Sequence, residues 1–182
     1  EPDSNDPMLK AMMAQSRMAM EEADVIVFIV DGRDGLQPAD EEVAQILRAS
    51  KCPVLLVVNT VDRPKQEANA YEFYSLGLGD PIAISAANML NFGDLLDDIA
   101  AHFPKGSDQP EDPDTIQVAV IGRPNVGKSS LVNALLGKER MIVSDVAGTT
   151  RDAVDSLFVA HGQKYTLIDT AGLRRKARVE DG

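Results

Sequence analysis

Three continuous apolar runs mark the first hundred residues. Val25-Ile26-Val27-Phe28-Ile29-Val30 and Val54-Leu55-Leu56-Val57-Val58 are rich in β-branched side chains. Runs of that kind, apolar at every position, read as strands buried on both faces of a parallel sheet. Pro81-Ile82-Ala83-Ile84 reads as a third, shorter strand. Between and around them the period changes to that of helices. Met8, Leu9, Met12, Met13 and Met18 fall at helical spacing over residues 7–23, a pattern expected of a core-facing stripe. Pro38 suits the first turn of a helix running to about Ala49, after the turn Asp31-Gly32 and Asp34-Gly35. Further helices are expected over about 66–75 and 92–102.

The second part of the chain repeats the alternation with a different rhythm. Ile116-Gln117-Val118-Ala119-Val120-Ile121 predicts a strand and residues 128–136 a helix. Two more strands are expected near 154–160 and 164–168, joined through His161-Gly162. Between the parts, residues 104–114 read Pro-Lys-Gly-Ser-Asp-Gln-Pro-Glu-Asp-Pro-Asp, an acidic, proline-rich composition typical of a linker. Strand and helix in alternation predict an α/β fold: a mostly parallel sheet with helices on both faces and its ligand at the carboxyl ends of the strands.

Composition narrows the class. The chain has 182 residues, 44% apolar, with only five Phe, three Tyr and no Trp, so the core is aliphatic. Cys52 is the one cysteine, which excludes an internal disulfide, and His102 and His161 are too far apart in sequence to suggest a Cys/His zinc site. No apolar run reaches the ~18 residues of a membrane span. A soluble, cytoplasmic protein without membrane association is the expectation, and Glu1 in place of Met suggests a piece of something longer. The net charge of −11 is uneven: residues 1–114 carry 8 Lys and Arg against 22 Asp and Glu, residues 115–182 carry 10 against 7. That balance argues against binding nucleic acid through bulk electrostatics. A local patch, Arg174, Arg175, Lys176 and Arg178, is the exception, and its plainer reading is a solvated tail.

Three motifs carry chemistry. Gly122-Arg-Pro-Asn-Val-Gly127-Lys128-Ser129 has the G-x-x-x-x-G-K-[ST] pattern between a strand and a helix. Its glycines let backbone close around a phosphate, and its amides form an anion nest at a helix N-terminus. Lys128 suits the β- and γ-phosphates, and the Ser129 hydroxyl suits Mg²⁺. Asn125, Val126, Gly127 and Ser130 complete the expected cradle. The second motif, Asp169-Thr-Ala-Gly172, offers a carboxylate for Mg²⁺ and a backbone N–H for a γ-phosphate. Thr150, in Gly148-Thr-Thr-Arg-Asp152, is the favoured third Mg²⁺ ligand. Lys128, Thr150 and Gly172 are the catalytic candidates. The third motif, Asn59-Thr60-Val-Asp62, follows a strand, and its Asp62 carboxylate can take two hydrogen bonds from guanine that adenine cannot give. Ser85-Ala86-Ala87 is the weak companion, placing the Ala86 N–H at guanine O6.

Together these residues resemble the translation-factor-type GTPases, and the Der (EngA) family in particular. Gly122 to Lys128, Gly148 to Asp152 and Asp169 to Lys176 resemble that family's second G domain. Ala23 to Gly32, Asn59 to Asp62 and Phe73 to Gly79 resemble the back half of its first. The resemblance implies a P-loop fold, GTP or GDP with Mg²⁺, and a role in ribosome assembly for the intact protein, with ribosome or ribosomal RNA as partner. It also implies a K⁺ ion near Asn125, because Leu173 stands where Ras-like enzymes place a water-orienting Gln. Thr60 departs from the Lys usual in the family. Hydrolysis is expected to be slow and faster in K⁺ than in Na⁺.

The motif order is unusual, with base-reading residues first and phosphate-reading residues last. A circularly permuted G domain accounts for it: residues 1–103 as the base-recognition half, 104–114 as linker and 115–182 as the phosphate-binding half, closed as a monomer or exchanged in a swapped dimer.

Overall fold

The computed structural model describes residues 7–59, 64–86, 91–101, 115–123, 126–138, 140–142, 156–160 and 163–168. Helix α1 spans Pro7–Glu22 and leads into β1, Val25–Asp31; α2, Pro38–Arg48, leads into β2, Val54–Asn59. A 3₁₀ helix, Pro64–Leu76, precedes β3, Ile82–Ile84, and α3, Phe92–Ala101. The second part supplies β4, Thr115–Ile121, α4, Lys128–Lys138, and three further strands, β5 (Arg140–Ile142), β6 (Ser156–Ala160) and β7 (Gln163–Leu167).

All seven strands form one sheet in the order β3-β2-β1-β4-β7-β6-β5. The five from β3 to β7 are parallel, and β6 and β5 join antiparallel at one edge. The centre of the sheet is thus a pairing between distant parts of one chain. Val25 to Phe28 of β1 lie beside Val118 to Ile121 of β4.

Strand β1 is buried at every residue, because its two sets of side chains face two separate layers. Val25, Val27 and Ile29 pack with Phe92, Leu95, Leu96 and Ile99 of α3 and with Leu131, Val132 and Leu135 of α4. Ile26, Phe28 and Val30 pack on the opposite face with Val43, Ala44 and Leu47 of α2 and with Ala70, Phe73 and Leu76 of the 3₁₀ helix. Covering both faces removes the apolar strands from water, worth about 1.5–3 kcal/mol for each fully buried large side chain. The sheet is therefore mostly parallel with helices on both faces, as the runs of apolar residues imply.

Several local expectations are corrected. Met18, expected on the inward stripe of α1, is 67% exposed; Met20, well round the helix from it, packs against the sheet. The helix expected over about 66–75 is present and is of the 3₁₀ kind, Pro64–Leu76. Its buried side chains Ala70, Phe73 and Leu76 recur every third residue, the period at which 3₁₀ side chains eclipse. Tyr71 and Tyr74 stack at the same spacing on the outer side, with ring centroids 6.0 Å apart. Strand β5 was not foreseen: three residues beginning with Arg140 give too little pattern to read. The linker 104–114 and the turn His161-Gly162 lie outside the described residues.

Cys52 is half-buried just before β2, with its Sγ 3.4 Å from the Ala23 carbonyl oxygen. Burial, with the nearby Asp24 carboxylate, pushes its thiol above the ordinary value of 9.0. At the same end of the sheet Asp24 accepts a hydrogen bond from the Gln117 N–H, 2.8 Å, and donates its own N–H to the Gln117 carbonyl, 2.8 Å.

Candidate nucleotide site

Because β1, β2, β3 and β4 run parallel, their carboxyl ends meet along one edge of the sheet. The register places Asp31 beside Asn59, Asn59 beside Ile84, and Phe28 beside Ile121. The residues with chemistry stand at or just past these ends: Asn59 closes β2, Ser85 and Ala86 come after β3, and the Gly122–Ser129 loop comes after β4. This is the edge at which ligands bind in open α/β sheets.

The Gly122–Ser129 loop is pinned from several sides. Gly122 lies so close to β1 that an added Cβ would collide with the Ile29 carbonyl oxygen. Gly127 has φ +108, where L side chains are strained, and a Cβ there would strike the Asn59 amide. Asn59 is the hinge of the arrangement. Its Nδ2 donates to the Val126 carbonyl, 2.9 Å, and its Oδ1 accepts from the Ala86 N–H, 3.0 Å. One side chain thereby joins all three strand ends, across 67 residues of sequence on one side and 27 on the other. Lys128 opens α4 and donates from Nζ to the Gly122 carbonyl at 2.6 Å, folding back over the loop. The Leu131 N–H reaches the Gly127 carbonyl at 2.8 Å, which starts the helix directly after the loop.

Of the residues read from the sequence, Asn59, Ser85, Ala86, Val126, Gly127, Lys128, Ser129 and Ser130 fall in the described residues. The structure brings Asn59, Ala86 and Val126 into direct hydrogen bonding. Ser85 and Ala86 are buried, Ser129 is half-buried and Ser130 exposed. Thr60, Asp62, Ala87, Asn125, Thr150, Asp169 and Gly172 lie outside the described residues, as do Leu173 and the Arg174–Arg178 run.

The loop fits a phosphate-bearing ligand on its own features. Gly122 and Gly127 let the loop backbone lie tight against Ile29 and Asn59, and the first-turn amides of α4 adjoin the loop. Among the described residues no cluster of three His, Cys, Asp or Glu could hold a metal unaided. Ser129, on the first turn of α4, offers a hydroxyl that could ligate a phosphate-bound Mg²⁺.

Sequence reading missed two charged pairs at this edge. Asp40, fully buried on α2, accepts from Arg123 Nε at 3.0 Å. Asp31, buried at the end of β1, lies 3.5 Å from the exposed Arg33 guanidinium and accepts the Arg33 N–H at 2.8 Å. Burial raises the Asp40 carboxyl above its ordinary 3.8, against the lowering effect of its hydrogen bond from Gln37 and of Arg123. The signal that could have revealed Asp40 is its place three residues after Gln37, a helix-start position where an acid normally faces water.

A glycine-lined loop between a strand and a helix, with a polar edge joined to it, defines a P-loop nucleotide-binding domain. The chain belongs to the family of the elongation factor Tu GTP binding domain, whose sequence pattern matches residues 12–105, just over half its length. A second family, described as 50S ribosome-binding GTPase, matches residues 117–182. Among curated relatives, GTPase Der of Clostridium perfringens strain SM101 is 56% identical over 181 residues, covering 100% of this chain and 41% of the relative. GTPase Der of Heliobacterium modesticaldum is 57% identical over 179 residues, covering 98% of this chain and 40% of the relative. The chain thus matches a segment of the Der proteins and spans about two fifths of their length. The crystal structure of YjeQ from Thermotoga maritima shares the fold, with a TM-score of 0.52 and 18% identity over 84% of this chain and 50% of that one. Among the described residues no helix is long and apolar enough to cross a membrane.

Proposed function

We propose that this chain binds guanine nucleotide and hydrolyses GTP to GDP and phosphate, as one circularly permuted G domain. The observation that carries the reading is the Asn59 side chain. It belongs to the base-reading motif, yet it is hydrogen-bonded to Val126 of the phosphate loop. Asp62 follows Asn59 by three residues and Lys128 follows Val126 by two, so this reading sets a purine and its phosphates on one edge. In this reading residues 1–103 contribute base recognition, 104–114 the connection and 115–182 the phosphate site. The β1–β4 pairing is the seam between the two halves in this reading, made within one chain in the closed monomer and between chains in a swapped dimer.

Each residue has a stated task. Asp62 accepts from guanine N1–H and the exocyclic amine, Thr60 lies beside the base, and the N–H groups near Ser85, Ala86 and Ala87 meet O6. Val126, Gly127, Ser129 and Ser130 present backbone amides to the phosphates, and Lys128 exchanges its Gly122 carbonyl for phosphate oxygens. Ser129, Thr150 and Asp169 would hold Mg²⁺, Asn125 would hold K⁺, and these cations neutralise charge on the phosphates. The Gly172 N–H approaches the γ-phosphate while water attacks in line. Leu173 has no polar atom with which to orient that water, so turnover is slow and favoured by K⁺. The same residue favours a second reading, a GDP-binding module with negligible turnover. Action on the bacterial ribosome is proposed for the intact protein, supported by the 50S ribosome-binding GTPase match.

Titration with fluorescent GDP, competed by GTP and by ATP, tests the reading. Saturable binding displaced by GTP but not ATP, and lost in Asp62→Asn, is expected; equal displacement by ATP refutes guanine recognition. Phosphate release in KCl and NaCl separates enzyme from binding module.

A further inference from the structure

The phosphate loop is held by more than the nucleotide motifs. Arg123, the residue after Gly122, is drawn to α2 on the face of the sheet opposite α4, where it meets Asp40. Asp40 is itself immobilised. One carboxylate oxygen accepts the Gln37 N–H at 3.0 Å, which caps the start of α2, and the other accepts from Arg123 Nε at 3.0 Å. The Asp40 side chain is 0% exposed and that of Arg123 19%. Arg123 Nη2 is buried without a hydrogen-bond partner among the described residues, so Asp40 is the one counter-charge the described residues supply.

A buried ion pair is a poor device for stability, because apolar residues of similar shape serve as well or better. It does orient: the Asp40 oxygen held beside the helix start takes Arg123 Nε and draws the guanidinium against α2. Burial keeps the Asp40 carboxyl costly to ionise despite Arg123, which agrees with a pair retained for geometry. The Asn59 and Lys128 hydrogen bonds act from a strand end and from the loop itself. The Asp40 tie acts from a helix 83 residues away in sequence.

We propose that Asp40 is a positioning residue that, through Arg123, sets the entry to the phosphate loop and thereby controls how long a nucleoside diphosphate stays bound. The proposal rests on the nucleotide-binding reading and deepens it. Asp40 touches no ligand; it holds the first residues of the loop so that the amides beyond Val126 converge on phosphate.

The test uses the full chain with three variants: Asp40→Ala, Arg123→Ala, and the apolar pair Asp40→Leu with Arg123→Met. Melting temperature, amide exchange of residues 122–131 against 25–30 without nucleotide, and GDP dissociation rate are measured. Each single variant is expected to melt lower, to exchange its loop amides about tenfold faster than its β1 amides, and to release GDP about tenfold faster. The apolar double variant, free of any orphaned charge, regains the melting temperature while loop exchange and GDP release stay fast. Recovery of all three in the double variant would show a merely structural pair and overturn the proposal, as would wild-type loop exchange in the single variants. Where a single variant fails to fold, the double variant decides. If the wild-type chain binds no GDP, the nucleotide reading falls, while loop exchange still settles the role of Asp40.

Discussion

Strand β1 has two neighbours with very different histories. β2 reaches it through the short excursion of α2, and their register runs unbroken from Ile26 beside Val54 to Asp31 beside Asn59. β4 reaches it only after two more strands and the 104–114 segment, and pairs over Val25 to Phe28 alone. The near seam is closed by chain connectivity. The far seam is closed by side chains at both ends: Asp24 with Gln117 at the start of the strands, Asn59 with Val126 and Asp40 with Arg123 at their carboxyl ends. Loop closure costs rise only slowly with length, so a distant partner is accessible, but its register needs local fixing. The far seam is also where Asn59 meets the Gly122–Ser129 loop, so fixing it and shaping that edge of the sheet are one task.

The largest test of this contrast is Phe28→Ala. Phe28 is beside Leu56 on one side and Ile121 on the other, so its loss is expected to cost about 3–5 kcal/mol in urea unfolding and to speed exchange on both seams. Exchange rising on one seam only would mean that they open independently. Asn59→Ala should come next, at about 1–3 kcal/mol, because the Ala86 N–H and Val126 carbonyl are both left without their partner. It should loosen the phosphate loop while leaving Ile26 to Val30 protected. Asp24→Ala, at an exposed hydrogen bond, is expected to cost about 0.5–1 kcal/mol and to act on the β4 side alone. The smallest effect concerns pH. The Asp40 carboxyl sits above 3.8 when folded, so in the window just above that value the folded chain holds its proton more tightly than the unfolded one. Stability from this group is complete below the window and is lost as pH rises through it. Asp40→Asn should flatten that slope in unfolding curves collected from pH 4 upward.

The near seam was legible and the far one partly so. β1 and β2 announce themselves because a strand covered on both faces is apolar at every position. The phosphate loop was legible because its glycines answer a geometric demand, visible at Gly122 against Ile29 and at Gly127 against Asn59. What sequence could not supply was partnership across long separations. Nothing local in Asp40 or Arg123 names the other, since the pair exists only once α2 and the loop have been brought to the same edge. Periodicity failed where elements are short or tightly wound: three residues in β5, and a three-residue repeat over Ala70, Phe73 and Leu76 that a 3.6-residue template reads as an ordinary helix.

Cys52 turns the start of the near seam into something that can be timed. Its sulfur is tucked against Ala23, at the end of the sheet away from the nucleotide edge, and burial with Asp24 nearby keeps it mostly as the unreactive thiol. Alkylation at this single sulfhydryl should therefore be slowed in the folded chain and quicken as that corner breathes, so a colorimetric thiol assay on unlabelled protein would serve as a stopwatch for that corner.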